Sequence, residues 1–167
     1  IFFKQYTALK RYCNKIGVRI IGDIPIYLAH DSSDVWAYPE IFKLTRAKKP
    51  RFVTGVPPDC FSKTGQLWGT CVYDWGQLKK DKYRWWIGRI EHNLKLFDVV
   101  RRDHFIGFFS YWQVPAGHKT AERGKWIKAP GREFFSRLFK RVDPKTIIVE
   151  DLGNVTKPVI NAIKKYQ

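Results

Sequence analysis

The sequence predicts an α/β fold in which short parallel strands alternate with helices and long loops. Three observations carry that prediction. Residues 18–23, 99–103 and 147–150 are short runs rich in β-branched residues, helical apolar spacing recurs between them, and each run closes on a carboxylate: Asp23, Asp103 and Glu150. Acids at the carboxyl ends of parallel strands face one edge of the sheet, which is where barrel architectures build their sites.

Element by element, Phe2, Tyr6, Leu9 and Cys13 fall at helical spacing and Gly17 supplies a stop, so residues 1–16 predict an amphipathic helix. Val18-Arg19-Ile20-Ile21-Gly22-Asp23 reads as a buried strand that Pro25 ends or kinks, with Ile26-Tyr27-Leu28 continuing extended. Ser32, Ser33 and Asp34 offer caps for a short helix near Val35-Trp36-Ala37. From about Pro39 to Asp74, Pro, Gly, Thr and aromatic residues without sustained periodicity predict a long ordered loop. Trp86, Ile90, Leu94 and Phe97 restore helical spacing over 82–97, with Trp85 and Trp86 assigned to helix packing, and lead into the second strand. A second irregular stretch, 105–130, precedes a helix with Phe134, Phe135, Leu138 and Phe139 on one side. Asp143-Pro144 breaks it, 146–149 forms the third strand, and Thr156 caps a last helix running to about Gln167. An eight-unit barrel takes about 250 residues. The 167 residues present therefore predict a partial (β/α)8 TIM barrel: about three consecutive strands with intervening helices and long loops, incomplete at both ends.

A composition 44% hydrophobic and 16% aromatic describes a globular chain able to bury a sizeable core. No apolar run approaches the ~20 residues that cross a bilayer, and Lys4, Lys10, Arg11 and Lys15 among aromatics are unlike a signal peptide. No membrane partner is expected. Cys13, Cys60 and Cys71 form no C-x-x-C pair and leave one thiol over in any disulfide scheme, which favours reduced cysteines in an intracellular protein. The net charge of +16 raises association with anions. Lys and Arg nevertheless form no run longer than two, and no zinc-finger, RRM or KH signature accompanies them, so a solvated basic surface is expected and no specific nucleic-acid partner. His30, His92 and His118 lack metal-ligand spacing with His104, and no metal site is expected. Walker A, G-x-G-x-x-G and G-x-S-x-G words are absent from the sequence.

Asp103 and Glu150 lie 47 residues apart, room for one strand-to-strand crossover, so neighbouring strands can bring them face to face. Two such carboxyls can serve as nucleophile and acid/base of a sugar-cleaving site. A lone acid at such a place is ordinarily a helix cap or a loop tie, but three in register point to a site. Strand alternation turns Arg101 to the side of Asp103. The pair is either purely structural or a means of lowering the Asp103 pKa so that it stays ionised. Glu150 has no basic residue nearby in its own strand, and a drier pocket there would suit a general acid. Loop 55–69 interleaves prolines, glycines, aromatics and amides, a mixture that matches the apolar faces and hydroxyl edges of sugar rings. His104 is placed to donate to a substrate hydroxyl.

At these same residues the chain resembles the 4-α-glucanotransferases called amylomaltase or disproportionating enzyme, glycoside hydrolase family 77, related to the α-amylases. The matching words are Ile21-Gly22-Asp23-Ile24-Pro25-Ile26-Tyr27, Asp31-Ser32-Ser33-Asp34-Val35-Trp36, the 55–69 loop, Val100-Arg101-(Arg102)-Asp103-His104-Phe105 and Glu150-Asp151-Leu152-Gly153, in order over nearly the whole chain. The resemblance implies a (β/α)8 barrel that cuts an α-1,4-glucan or malto-oligosaccharide, holds the glucosyl piece covalently and passes it to another sugar's 4-hydroxyl, without a cofactor, in the cytoplasm or a plastid. By motif position it implies Asp103 as nucleophile, Glu150 as acid/base and Arg101 in support, with Asp23, Tyr27, Asp59, Phe61, Gln66, Trp68 and His104 binding substrate.

The departures from the pattern are specific. The Thr-His-Asp-Asn word with a third catalytic Asp does not occur in these residues, so the isolated chain is expected to be inactive. Cys60 stands for an expected Tyr, and Gly69-Thr70-Cys71 for Gly-Asn-Pro. Arg102 stands where an aliphatic is expected and Ile106 where Arg is usual. Burying Arg102 without a partner would cost several kcal/mol; it is expected to reach water along the helix layer or to meet an acid, partly exchanging roles with Ile106. The competing readings are an α-glucan hydrolase of the same superfamily, a non-catalytic glucan-binding remnant and a basic nucleic-acid binder.

Overall fold

The structure, a computed structural model, describes residues 1–150, 152 and 155–166. Along the chain it places helix α1 (Phe2–Lys15), strand β1 (Ile21–Ile24), helix α2 (Ser33–Ala37), strands β2 (Phe52–Val56) and β3 (Gln66–Cys71), and helices α3 (Trp75–Lys80) and α4 (Arg84–Leu96). Strands β4 (Val99–Arg102), β5 (Ser110–Pro115) and β6 (Lys125–Lys128), helix α5 (Gly131–Leu138), strand β7 (Ile147–Val149) and helix α6 (Lys157–Tyr166) follow. The last helix is described to Tyr166, and Gln167 lies outside the described residues. Two compact units result. One comprises Ile1–Ile26, Tyr83–Phe105 and Arg132–Gln167, the other Tyr27–Lys82 and Ile106–Gly131.

The first unit holds the expected parallel sheet, in the order β1-β4-β7. Val99, Val100 and Arg102 of the central strand are buried while Arg101 is half-buried. Helix α4 buries Trp86, Ile87 and Ile90, and α5 carries Phe134, Phe135 and Leu138, all buried. Rings interlock at 5.6 Å between Tyr83 and Phe134 and at 5.0 Å between Phe105 and Phe135. Each such side chain removed from water stabilises the fold by roughly 1.5–3 kcal/mol. The edge strand β1 departs from the expected buried run: its burial alternates, and Ile21 is 59% exposed. At Gly22 the Phe97 ring occupies the space a Cβ would take.

Helix α1 is amphipathic as predicted, yet none of its residues is fully buried. It is tied down through Asp98, whose Oδ2 accepts from the Ile20 N–H at 2.8 Å and the Asn14 amide at 2.9 Å, with Lys10 Nζ 3.4 Å from Oδ1. Burial raises the Asp98 pKa, but those donors together outweigh it and hold the carboxyl below its ordinary value.

The second unit corrects the two stretches expected to be loops. Residues 39–74 and 105–130 contribute an antiparallel sheet in the order β3-β2-β5-β6. Its pattern was hidden because the strands carry buried polar residues and are irregular. Thr54 and Gln113 are buried, the pairing of β2 with β3 shifts register between Val53 and Gly55, and at Gly55 the Gln66 carbonyl fills the place of a Cβ. The buried polar atoms pair internally: Lys43 Nζ donates to Tyr111 Oη at 3.1 Å and Gln113 Oε1 at 2.8 Å, and the Thr54 and Thr70 hydroxyls bond each other. The two short helices form where capping residues stand, Ser32 Oγ accepting from the Val35 N–H at 3.3 Å and Asp74 Oδ1 from the Gln77 N–H at 3.1 Å. All three cysteines are free thiols, with Cys60 exposed and Cys71 buried. Among the described residues no helix is long and apolar enough to cross a membrane.

Candidate active site

The ends of β1, β4 and β7 gather four charged residues: Asp23, Arg101, Asp103 and Glu150. Parallel register sets Asp23 beside Arg101 and Ile24 beside Arg102, and Arg102 beside Val149, the last residue of β7. The ladder continues past the strand ends: the Asp103 N–H donates to the Ile24 carbonyl at 3.4 Å, the Glu150 N–H to the Arg102 carbonyl at 3.1 Å, and the Phe105 N–H to the Glu150 carbonyl at 3.1 Å. The backbones that bear Asp103 and Glu150 are thus held by the sheet itself.

Arg101 joins the three acids. Its Nη1 donates to Asp23 Oδ2 at 2.9 Å, its Nη2 to Asp103 Oδ1 at 3.0 Å, and the same Nη2 lies 3.4 Å from Glu150 Oε2. Since one nitrogen reaches both, those two oxygens stand no more than 3.0 + 3.4 = 6.4 Å apart. Glu150 Oε2 also accepts from the His104 N–H at 2.7 Å. That bond depends on an unusual backbone: His104 adopts a left-handed conformation, φ 47°, immediately after Asp103.

The electrostatics differ from the sequence expectation in one respect. Burial, then a hydrogen bond to Glu150 and its charge, push the Asp103 pKa above its ordinary value, outweighing Arg101 and His104, which act to lower it. Arg101 was expected to win. It is shared among three carboxylates and is 38% exposed, so solvent weakens its hold on any one of them. Burial also lowers the His104 pKa, outweighing the pull of Asp103, which leaves the imidazole neutral at pH 7.

Arg102 does not reach water: it is 0% exposed, with Nη1 donating to the Ile24 carbonyl at 2.8 Å and its guanidinium 4.6 Å from the centre of the Trp86 ring. Ile106 is itself buried.

Of the residues expected to bind substrate, Asp23 and His104 belong to this cluster. The remainder lie in the second unit. Asp59 Oδ1 accepts from the N–H groups of Phe61 at 2.9 Å and Ser62 at 2.8 Å, a turn that leaves Phe61 93% exposed at the loop tip. Gln66 Oε1 accepts from Trp68 Nε1 at 3.2 Å. Tyr27 is buried, its ring 6.1 Å from that of Trp68 and 6.2 Å from that of Tyr73. The departures Thr70 and Cys71 are absorbed structurally, Thr70 by its bond to Thr54 and Cys71 by complete burial, which raises its thiol pKa to about 11. Asp151 and Gly153, which follow Glu150 in its sequence word, lie outside the described residues. Sequence reasoning missed the His104 N–H and the Ile24 carbonyl as parts of the cluster. Backbone groups leave no residue signature, and only the left-handed φ at His104 reveals the first.

Comparison with known proteins adds to the geometry. Residues 1–167 match the family model of glycoside hydrolase family 77, 4-alpha-glucanotransferase. A 4-alpha-glucanotransferase of Aquifex aeolicus (strain VF5) is 53% identical over 159 residues, covering 95% of this chain and 33% of that protein. One of Clostridium butyricum is 50% identical over 165 residues, covering 98% and 34%. The solved amylomaltase from Streptococcus agalactiae in complex with acarbose superposes with a TM-score of 0.94 at 42% identity, over 99% of this chain and 33% of that one. The amylomaltase from Corynebacterium glutamicum, 20% identical, shares the fold at a TM-score of 0.84. The chain spans about a third of the length of the curated relatives named here. A family match over all 167 residues, borne by a sheet whose strand ends hold the motif acids together, makes this chain a member of glycoside hydrolase family 77, the 4-alpha-glucanotransferases.

Proposed function

We propose that the intact protein carrying this chain is a 4-α-glucanotransferase acting on α-1,4-glucans or malto-oligosaccharides in the cytoplasm or a plastid. In this reading the β1-β4-β7 sheet is a segment of a (β/α)8 barrel and Asp103 and Glu150 perform a retaining double displacement. The observation that carries the reading is the single guanidinium nitrogen contacting both carboxyls, with their bridged oxygens no more than 3.0 + 3.4 = 6.4 Å apart. Retaining pairs stand about 5–5.5 Å apart, whereas inverting pairs stand roughly 6.5–9.5 Å apart to admit a water.

The steps follow from the cluster. Glu150 gives its proton to the glycosidic oxygen as the Asp103 carboxylate attacks the anomeric carbon; the C–O bond to the leaving sugar breaks and a glucosyl ester on Asp103 forms. The 4-hydroxyl of an acceptor sugar then loses its proton to Glu150 and attacks the same carbon, freeing Asp103 and restoring the acid. Burial and the nearby Glu150 raise the Asp103 pKa, while Arg101 favours its ionised form. Asp23 holds Arg101 in place. Neutral His104 faces a sugar hydroxyl. The exposed Phe61 ring and Trp68 offer apolar surfaces to sugar rings, with Gln66 and Asp59 ordering the segment that carries them and Tyr27 backing Trp68. No cofactor enters these steps.

The test is disproportionation of maltotriose by the intact protein, with glucose and longer malto-oligosaccharides as products and a glucosyl ester on Asp103 after trapping with a fluorinated glucosyl donor. Hydrolysis outpacing transfer would assign an α-glucan hydrolase. Absence of turnover with glucan binding that survives Asp103→Asn would reduce the protein to a binding remnant.

A further inference from the structure

Arg102 sits one residue before Asp103, and alternation points it away from the acids. It is fully buried, stacked against Trp86 of α4, whose ring is buried too. An aliphatic side chain would fill such a seam without the desolvation that a guanidinium carries. What an aliphatic cannot do is donate to the Ile24 carbonyl, which Arg102 reaches at 2.8 Å. That carbonyl closes β1, and it also accepts the longer 3.4 Å bond from the Asp103 N–H. On the other side, the Arg102 carbonyl accepts from the Glu150 N–H at 3.1 Å. One residue therefore links the strand end next to Asp23, the strand that delivers Asp103 and the strand that delivers Glu150. The Trp86 face backs the guanidinium at 4.6 Å as it makes this bond.

We propose that Arg102 is a positioning residue for the carboxyl pair: its buried guanidinium, held against Trp86, pins the Ile24 carbonyl and so sets the strand ends on which Asp103 and Glu150 converge. The proposal rests on the reading of those two acids as the reacting pair. Displacements of about 1 Å from outside the chemistry can cost 10²-fold in rate, and the direct Asp103 to Ile24 bond is too long to hold the end of β1 alone.

The test uses Arg102→Met and Arg102→Lys in the intact protein, with two readouts: kcat and KM on maltotriose, and amide hydrogen exchange at Asp103 and Glu150. Arg102→Met is expected to lower kcat about tenfold to a hundredfold with KM within about twofold, and to speed exchange at both amides. Arg102→Lys, which keeps a charge and a donor but loses the planar stack, is expected to recover part of the lost kcat. A folded Arg102→Met with kcat within about twofold of the parent overturns the proposal whatever its amides do, as does a KM rise that accounts for the whole loss. Should Arg102→Met fail to fold, Arg102→Lys decides: a several-fold lower kcat supports the proposal and parental kcat overturns it. A parent without transferase or hydrolase activity would instead defeat the reading of the acid pair. Amide exchange then decides the tether alone, with unchanged protection in the variant counting against it.

Discussion

The parallel sheet of the first unit and the antiparallel sheet of the second are both made of short strands, yet they handle polar groups in different ways. Around β1, β4 and β7, charges collect at or beyond the strand ends, where side chains are partly solvated and meet one another: Asp23, Arg101, Asp103 and Glu150. Within the second sheet and its flanks the polar groups are interior, and Lys43, Tyr111, Gln113, Thr54 and Thr70 bond across it. The contrast separates two uses of polarity. Groups at the ends of a ladder are free to face a substrate, whereas groups inside it are consumed in setting register.

That contrast breaks first if the strand-end acids prove structural. In the intact protein Glu150→Gln is expected to lower kcat by roughly 10²–10⁴, and Asp103→Asn to abolish transfer, measured as glucose released from maltotriose. Stability gives an independent reading of Asp103. Its folded pKa lies above the unfolded value, so the proton it binds stabilises the fold below the unfolded pKa, and this contribution is lost as pH rises through the folded pKa. Asp103→Asn should therefore melt higher than the parent at pH 7, with the gap closing in acid.

The next largest effect concerns packing alone. Phe134→Ala, in the aromatic cluster of the first unit, should cost about 3–5 kcal/mol in denaturant unfolding. A smaller effect sharpens the comparison between the sheets. Gly55→Ala drives a methyl into the Gln66 backbone carbonyl and should cost about 1–3 kcal/mol with loss of amide protection along β2 and β3. Gly22→Ala meets the Phe97 side chain rather than backbone and should cost less. The smallest is Asp98→Asn, which weakens the charge-assisted bonds to Ile20 and Asn14 by about 1–2 kcal/mol. Because the Asp98 pKa is lowered in the fold, its contribution is present above the unfolded pKa and lost as pH falls through the folded one, so the difference should vanish in an acid titration.

The same contrast explains what the sequence made legible. Parallel strands announced themselves as compact β-branched runs ending in acids, and helices α4 and α5 by aromatic and aliphatic spacing such as Trp86 to Ile90 and Phe134 to Leu138. The four antiparallel strands did not, because Gly55, Thr54, Gln113 and Lys125 interrupt any apolar alternation. The side-chain members of the acid cluster could be named from residue type and position. The sign of the Asp103 shift could not, since it depends on how close Glu150 comes and on how widely Arg101 is shared. The burial of Arg102 was also illegible: a strand-end arginine reads as solvated until a tryptophan face and a carbonyl are found waiting for it.

The left-handed turn at His104 has a stereochemical consequence. By aiming its amide at Glu150 Oε2, already within reach of Arg101, it surrounds that oxygen with donors. In the proposed mechanism Oε1 is then the oxygen left to meet the sugar, and one backbone torsion sets the direction of that approach.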